Sequence, residues 1–198
     1  MIEKFLKAKH WQLFSLIFGI PFLFQIFMMI TMLSSIQNAN PSDVPQIFEY
    51  MWFFPIIMVM VMGIQFGWFW SIAIGLQNKV PQGVKMKVKK FKVFFFFPVI
   101  YLSLLCIGMM TLFYSFTIEG IGVNGGLVAA LLGIIIPMHL FAVFCVFYSI
   151  YFVAKTFKTV ELQREVGFGD FMGEFLMIWF YPLGIWIIQP KVNRITEN

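Results

Sequence analysis

Four long, uncharged apolar runs constrain this chain more than any other feature of its sequence. They cover residues 13–33, 51–76, 93–116 and 127–154, and none of them contains Asp, Glu, Lys or Arg. A bilayer core about 30 Å thick is crossed by about 20 mostly apolar residues that rise about 1.5 Å each. Each run reaches that length. We therefore predict an all-α integral membrane protein with four transmembrane helices.

The composition agrees with this prediction. Of the 198 residues, 61% are hydrophobic and 12% are charged, whereas soluble domains average about 45–50% and about 25%. These values exclude a soluble monomer and a disordered chain. Because the four runs occupy so much of the chain, we predict a single membrane domain over residues 1–198, embedded in the lipid bilayer.

A fifth apolar segment, residues 175–189, is shorter and contains Pro182 and Gly184. A segment of this length is either re-entrant or interfacial, or it is a marginal fifth transmembrane helix. The sequence Pro182-Leu183-Gly184 favours a reversal of chain direction at that point.

Basic residues predict the topology. They occur before the first run, between the second and third runs, and after the fourth. Loops 34–50 and 117–126 contain no Lys or Arg, and all of their charged residues are acidic. Lys and Arg accumulate on the cytoplasmic side of membrane proteins, which predicts a cytoplasmic amino terminus. If segment 175–189 returns to the cytoplasm, all 14 basic residues lie on one side. We therefore prefer four spans and a re-entrant or interfacial carboxyl-terminal segment, with five spans as the alternative.

A short pattern occurs three times along the chain. It consists of Phe, an aromatic residue four positions later and Pro three positions after that. The copies are Phe14/Phe18/Pro21, Phe91/Phe95/Pro98 and Phe175/Trp179/Pro182. Either the chain contains two parallel repeated hairpins, related by an axis along the membrane normal, or the pattern arises by chance in a Phe-rich chain.

The carboxyl-terminal region provides a resemblance. Residues 154–195 read AKTFKTVELQREVGFGDFMGEFLMIWFYPLGIWIIQPKVNRI. This stretch, roughly a fifth of the chain, resembles the carboxyl-terminal part of small, uncharacterised multi-span membrane proteins of Bacteroidetes-type bacteria. The resemblance implies a bacterial inner (cytoplasmic) membrane location, and it implies no site residue.

His139 is the one strongly titratable side chain within the four runs. Ionisable groups at membrane depth are costly and suggest function by default. One hypothesis is therefore an intramembrane polar site of His139, Gln65 and Gln25 that relays protons or contacts a ligand. The alternative is a neutral histidine hydrogen-bonded to a neighbouring helix through Gln25, Gln65, Ser103 or a carbonyl.

The second run carries glycines at Gly63, Gly67 and Gly75. Small residues at this spacing allow helices to approach closely in lipid. They predict a helix-packing face, whose partner is either another helix of this chain or a second subunit, including a copy of the same chain.

The loop between the second and third runs is rich in lysine: Lys85, Lys87, Lys89, Lys90 and Lys92. These side chains are candidates to contact anionic lipid headgroups or an acidic partner. The alternative is that they only set the topology. We predict no nucleic-acid binding, because the loop lacks a folded recognition module.

No catalytic motif occurs in the sequence, and its two histidines are fewer than the three protein ligands usual for catalytic zinc. We therefore predict no enzyme activity, no metal site and no cofactor. The expected function is that of an accessory, scaffold or assembly subunit that binds other membrane subunits. The alternative is a small transporter or permease component, with a path near His139 and helices kinked by proline at Pro21, Pro55, Pro98, Pro137 and Pro182.

Overall fold

A computed structural model of the protein describes residues 2–37, 53–117 and 125–197, and within these ranges all regular secondary structure is helical. The α-helices are α1 (Ile2–Lys7), α2 (His10–Phe14), α3 (Ile20–Gln37), α4 (Phe53–Gly75), α5 (Val88–Thr117), α6 (Gly125–Leu162), α7 (Phe168–Trp179) and α8 (Tyr181–Glu197). Residues 51–52 of the predicted second span and most of the two acidic loops lie outside the described residues.

The predicted all-α membrane class and its four spans are confirmed. Four helical segments are long and apolar enough to cross a membrane: 10–34, 53–79, 88–112 and 129–162. The third and fourth spanning helices, α5 and α6, extend beyond their apolar runs. For example, α6 continues from Ala154 to Leu162. Backbone N–H and C=O groups must be bonded within the membrane, so a spanning helix ends where water or a cap can satisfy its terminal groups.

A π-turn interrupts the first span. Residues Ser15–Gly19 connect α2 to α3, and the N–H of Ile20 donates to the carbonyl of Ser15, five residues earlier. Pro21 follows directly. Proline has no N–H to donate, and its ring crowds the carbonyl four residues before it, here that of Ile17. The wider turn accommodates this defect without breaking the span.

The chain divides into two compact units. Unit 1 comprises residues 1–75 and 176–198, and unit 2 comprises residues 76–175. In unit 2, α5 and α6 form a hairpin held by aromatic contacts. The ring of Phe91 stacks on Phe152 at 4.6 Å between centroids, and Phe94 lies 4.7 Å from Tyr148.

In unit 1, the short helix α1 lies directly against α4. Helix α1 is not among the helices predicted from the sequence. A Cβ atom on Gly67 would lie 2.8 Å from Cζ of Phe5, and one on Gly75 would lie 2.6 Å from Cγ2 of Ile2. Two of the predicted packing glycines therefore make room for α1. Gly63 has no heavy atom of the described residues within 4 Å of such a Cβ.

A buried glutamine of α8 connects three helices of unit 1. The Gln189 side chain is fully buried, and its Oε1 accepts a 2.7 Å hydrogen bond from Nε1 of Trp68 in α4. Its Nε2 donates to the carbonyls of Phe5 and Ala8, each at 2.9 Å. The first and last helices of the chain therefore touch each other.

The carboxyl-terminal segment bends sharply between α7 and α8. A Cβ on Gly184 would overlap the backbone carbonyl of Met177, whereas one straight helix would separate these residues by about 10 Å along its axis. Among the described residues, no fifth helix has the length and apolar character of a span. The re-entrant or interfacial placement of this segment stays a prediction.

The turn in the predicted segment lies at another position than expected. The range 175–189 is divided between α7 and α8, and the helices separate at Phe180. Pro182 and Gly184 lie in the first turn of α8. The reason is that the first N–H groups of a helix have no intrahelical acceptor, so a proline is tolerated there and helps a helix begin.

The exposed face of α7 is apolar. Phe168, Met172, Leu176 and Trp179 are exposed at spacings of four, four and three residues, whereas Ile178 is fully buried. A helix with an exposed apolar face of this kind is suited to lie in the membrane interface.

We predict that Gly184→Ala destabilises the bend. The added methyl group meets the backbone of Met177 rather than a flexible side chain, so the free energy of unfolding should fall by about 1–3 kcal/mol. Thermal unfolding in detergent measures the change. The control is Gly173→Ala, where no described heavy atom lies within 4 Å of the new methyl group and alanine favours the helix by about 1 kcal/mol. Equal stability of the two variants would contradict the proposed close approach.

Candidate functional site

His139 lies on α6 and contacts Tyr101 of α5. The Tyr101 hydroxyl is 3.4 Å from Nδ1 of His139 and also 3.4 Å from the carbonyl oxygen of Ile135. The tyrosine is 6% exposed, whereas the histidine is an exposed residue of its unit. The imidazole therefore has one polar neighbour on its inner side and presents the rest of its ring to the surroundings of α6.

Both helices contain a proline beside this pair. Pro98 precedes Tyr101 by three residues, and Pro137 precedes His139 by two. Each proline lacks the N–H that the carbonyl four residues earlier would accept. The polar groups of this pair thus lie near backbone carbonyls that lack their usual intrahelical donor.

The other two residues of the predicted polar site belong to unit 1. Gln25 is exposed on α3, and Gln65 is half-buried on α4. His139 and Tyr101 belong to unit 2. The polar neighbour that the structure shows for His139 is therefore a tyrosine of its own hairpin, which the sequence analysis does not include among the possible partners.

Lys158 joins α6 to α7 through two carboxylates. Its ammonium nitrogen lies 2.7 Å from Oε2 of Glu161 and 2.8 Å from Oε1 of Glu174. The three side chains are partly buried, with Glu174 the least exposed at 10%. Partial burial reduces the screening of this pair by water, so it contributes more to the α6–α7 contact than an exposed pair would.

Asp170 stabilises the start of α7. Its Oδ2 accepts a 2.8 Å hydrogen bond from the backbone N–H of Gly167, and its Oδ1 lies 2.8 Å from Nη2 of Arg164. Gly167 is the residue before the helix and Asp170 is its third residue, which is the position of the acidic member of a capping box. The Arg164 guanidinium, with the Gly167 N–H, holds the pKa of Asp170 below its ordinary value of 3.8.

Asp170 and Glu174 lie one turn apart on α7 but bind different cations, Arg164 and Lys158. Both carboxylates are therefore used to connect parts of unit 2. Within residues 2–37, 53–117 and 125–197, no group of three or more His, Cys, Asp or Glu side chains could hold a metal ion. Cys106 and Cys145 are buried free thiols.

The five lysines of the predicted lipid contact belong to unit 2, and all of them are exposed. The Lys90 ammonium lies 5.2 Å from the ring centre of Tyr148 and 5.5 Å from that of Phe94. This cation–π contact fixes the start of α5 against α6. The contact of these lysines with lipid remains a prediction.

Comparison of the chain with protein-family models, curated proteins and solved structures gives no match in any of the three. The resemblance of residues 154–195 to Bacteroidetes-type membrane proteins is therefore not tested by them. The site rests on the geometry of this chain alone.

Tyr101 and Gln189 are two polar residues whose hydrogen bonds are not predicted from the sequence. The sequence contains one signal for each, because both are polar side chains placed among apolar residues, Tyr101 inside the third run and Gln189 at the end of segment 175–189. A polar group in such a position needs a hydrogen-bond partner in the folded protein. The partner itself depends on how the helices are aligned.

We predict that Asp170→Asn lowers the thermal stability of the protein at neutral pH and that the loss becomes smaller in acid. Because folding lowers the pKa of this carboxyl, its stabilising contribution is complete above 3.8 and is lost as the pH falls through the still lower pKa of the folded state. Unfolding temperatures in detergent at about pH 7 and about pH 3 measure the difference.

The matched control for this prediction is Glu165→Gln, which removes an exposed negative charge next to Arg164 without touching the cap. It should leave the unfolding temperature nearly unchanged at both pH values. A loss from Asp170→Asn that is the same at neutral and acid pH would contradict the role of the ionised carboxylate.

Proposed function

We propose that the protein is a non-enzymatic accessory or assembly subunit of a bacterial inner membrane, and that α6 binds a helix of another membrane subunit. The observation that carries this proposal is the exposure of His139 at membrane depth. No described residue provides a hydrogen bond to its Nε2 atom. In hydrocarbon, that ring nitrogen would have neither water nor protein to bind.

The residues around His139 suit a helix–helix contact. Leu132, Ile136, Leu140 and Val143 are exposed on α6 at three- and four-residue spacing, so they share one face with the histidine. An intramembrane histidine normally faces protein or a water-filled cavity. A helix that offers a hydrogen-bonding side chain at this depth would satisfy Nε2 while its apolar residues pack along the same face.

The contact between the two ends of the chain supports the proposed orientation. Gln189 and Asn193 of α8 bond to the carbonyl of Ala8, the residue after α1, which supports a common side of the membrane for both helices. The basic residues of both ends favour the cytoplasmic side. We propose that both termini are cytoplasmic, as the distribution of charge predicts.

The orientation predicts the reactivity of single cysteines placed at the two sides, in a variant from which Cys106 and Cys145 have been removed. A cysteine at Asn198 should resist a membrane-impermeant thiol reagent in intact cells, whereas one at Asn40 should react. Labelling after cell lysis provides the control for accessibility. Labelling of both positions in intact cells would show that the carboxyl terminus is outside.

We predict that the complex with the other subunit depends on His139. Purification in mild detergent should give a particle heavier than the 23.1 kDa chain with its detergent, and His139→Leu should release the partner. His139→Asn keeps a hydrogen-bonding group and should retain more of the complex. Gln25→Leu is the control, since it removes another exposed polar side chain from membrane depth in the other unit. A wild-type protein that is strictly monomeric would refute the proposal.

A transporter component is the second candidate. Its support is the Tyr101–His139 pair beside two prolines, and the π-turn of the first span, since π-turns are frequent at functional sites. The two functions differ in one result. His139→Leu in a transporter component would abolish transport while leaving the particle mass unchanged, whereas in an assembly subunit the particle itself dissociates.

A further inference from the structure

Three exposed basic residues adjoin the point where the amino- and carboxyl-terminal helices meet. Nδ2 of Asn193 donates a 3.1 Å hydrogen bond to the carbonyl of Ala8. Lys7 and Lys9 flank Ala8 in the sequence, and Arg194 follows Asn193. The contact therefore gathers, within unit 1, positive charges from opposite ends of the sequence.

The side chains of Lys7, Lys9 and Arg194 are exposed. The acids of α1 and α8 are Glu3 and Glu197. Among the described residues, neither of these acids forms an ion pair with the three cations. The cluster therefore carries a net positive charge.

The cluster lies at the level of the lipid headgroups. The first span begins at His10, directly after Lys9. The His10 ring lies 4.5 Å from that of Trp186 in α8, and Trp11 and Trp186 are about half exposed. Tryptophan favours the boundary between hydrocarbon and headgroups, so the neighbouring cations stand where lipid phosphates lie.

We propose that Lys7, Lys9 and Arg194 form a binding site for the headgroup of an anionic phospholipid, whose acyl chains lie along the exposed aromatic surface of unit 1. Charge decides the headgroup, because each basic residue near the surface favours anionic lipid. The adjacent rings of Trp11 and Trp186 favour a lipid over a soluble anion, because they provide apolar surface next to the cations. The site uses residues of unit 1 and none of the lysines of the loop in unit 2, and it does not depend on the proposed partner of α6.

The test uses the purified full chain in vesicles of phosphatidylcholine that contain a small fraction of photoreactive phosphatidylglycerol. Mass spectrometry then locates the cross-linked peptides. The expected products are peptides from residues 2–11 and 183–197. Photoreactive phosphatidylcholine with the same acyl chains should label these peptides only at background.

Two matched triple variants locate the site. Lys7→Gln, Lys9→Gln and Arg194→Gln together should reduce labelling of the unit 1 peptides about tenfold or more. Lys85→Gln, Lys87→Gln and Lys89→Gln together remove the same charge from the loop of unit 2 and should leave the labelling of unit 1 within about twofold. Equal losses from both triples would show a diffuse effect of charge and would overturn the site.

Three further results complete the test. Lys7→Arg, Lys9→Arg and Arg194→Lys together keep the charges and should keep the labelling, which separates loss of charge from loss of fold. High salt should weaken the labelling of the wild type, because it screens exposed charges. An excess of inorganic phosphate should not displace the lipid. Displacement by phosphate, or equal labelling by the two lipids, would overturn the proposal.

Discussion

The hydrogen bonds of Gln189 are the interaction on which the arrangement of unit 1 depends. Helix α1 has six residues, and an isolated helix of that length is unstable in water. Its last carbonyls have no partner within the helix, and an unsatisfied buried carbonyl costs about 1–3 kcal/mol. Gln189 and Asn193 provide the missing donors from α8.

The geometry of this glutamine leaves no polar atom of its amide unused. Oε1 binds Trp68, and Nε2 lies within hydrogen-bond distance of Phe5, Leu6, Ala8 and Asn193. An amide has two hydrogens for these four acceptors, so the bonds are shared among them. Such a network stabilises one arrangement of α1, α4 and α8, because any shift leaves several buried groups without partners.

The sequence predicts the spans well because their signal is local and additive. Each apolar residue contributes to partitioning into lipid wherever it lies on a helix, so length and charge suffice to find four helices. Helix α1 is not predicted in this way, because its six residues are stabilised as a helix by packing on Gly67 and Gly75. The bend lies at Phe180 rather than at the predicted turn of Pro182, Leu183 and Gly184. The reason is that proline marks the beginning of a helix as readily as a turn.

Pairings between helices are harder to predict than the helices themselves. The spans are apolar on nearly every side, so their pattern does not fix which faces meet or how far one helix is shifted along another. The contact of Tyr101 with His139 and the contact of Gln189 with Trp68 both depend on that alignment. The glycines are an intermediate case, because small residues predict a close approach but do not identify what approaches.

The bond between Gln189 and Ala8 also fixes an order of events during synthesis. These residues are separated by 181 positions, and a ribosome adds about 5–20 residues per second. The first helix therefore waits roughly 10–40 s for the donors that cap it. During that interval all four spans can enter the bilayer, while the amino-terminal lysines remain beside a helix that has not yet settled. The capping of α1 by α8 therefore follows the synthesis of all four spans.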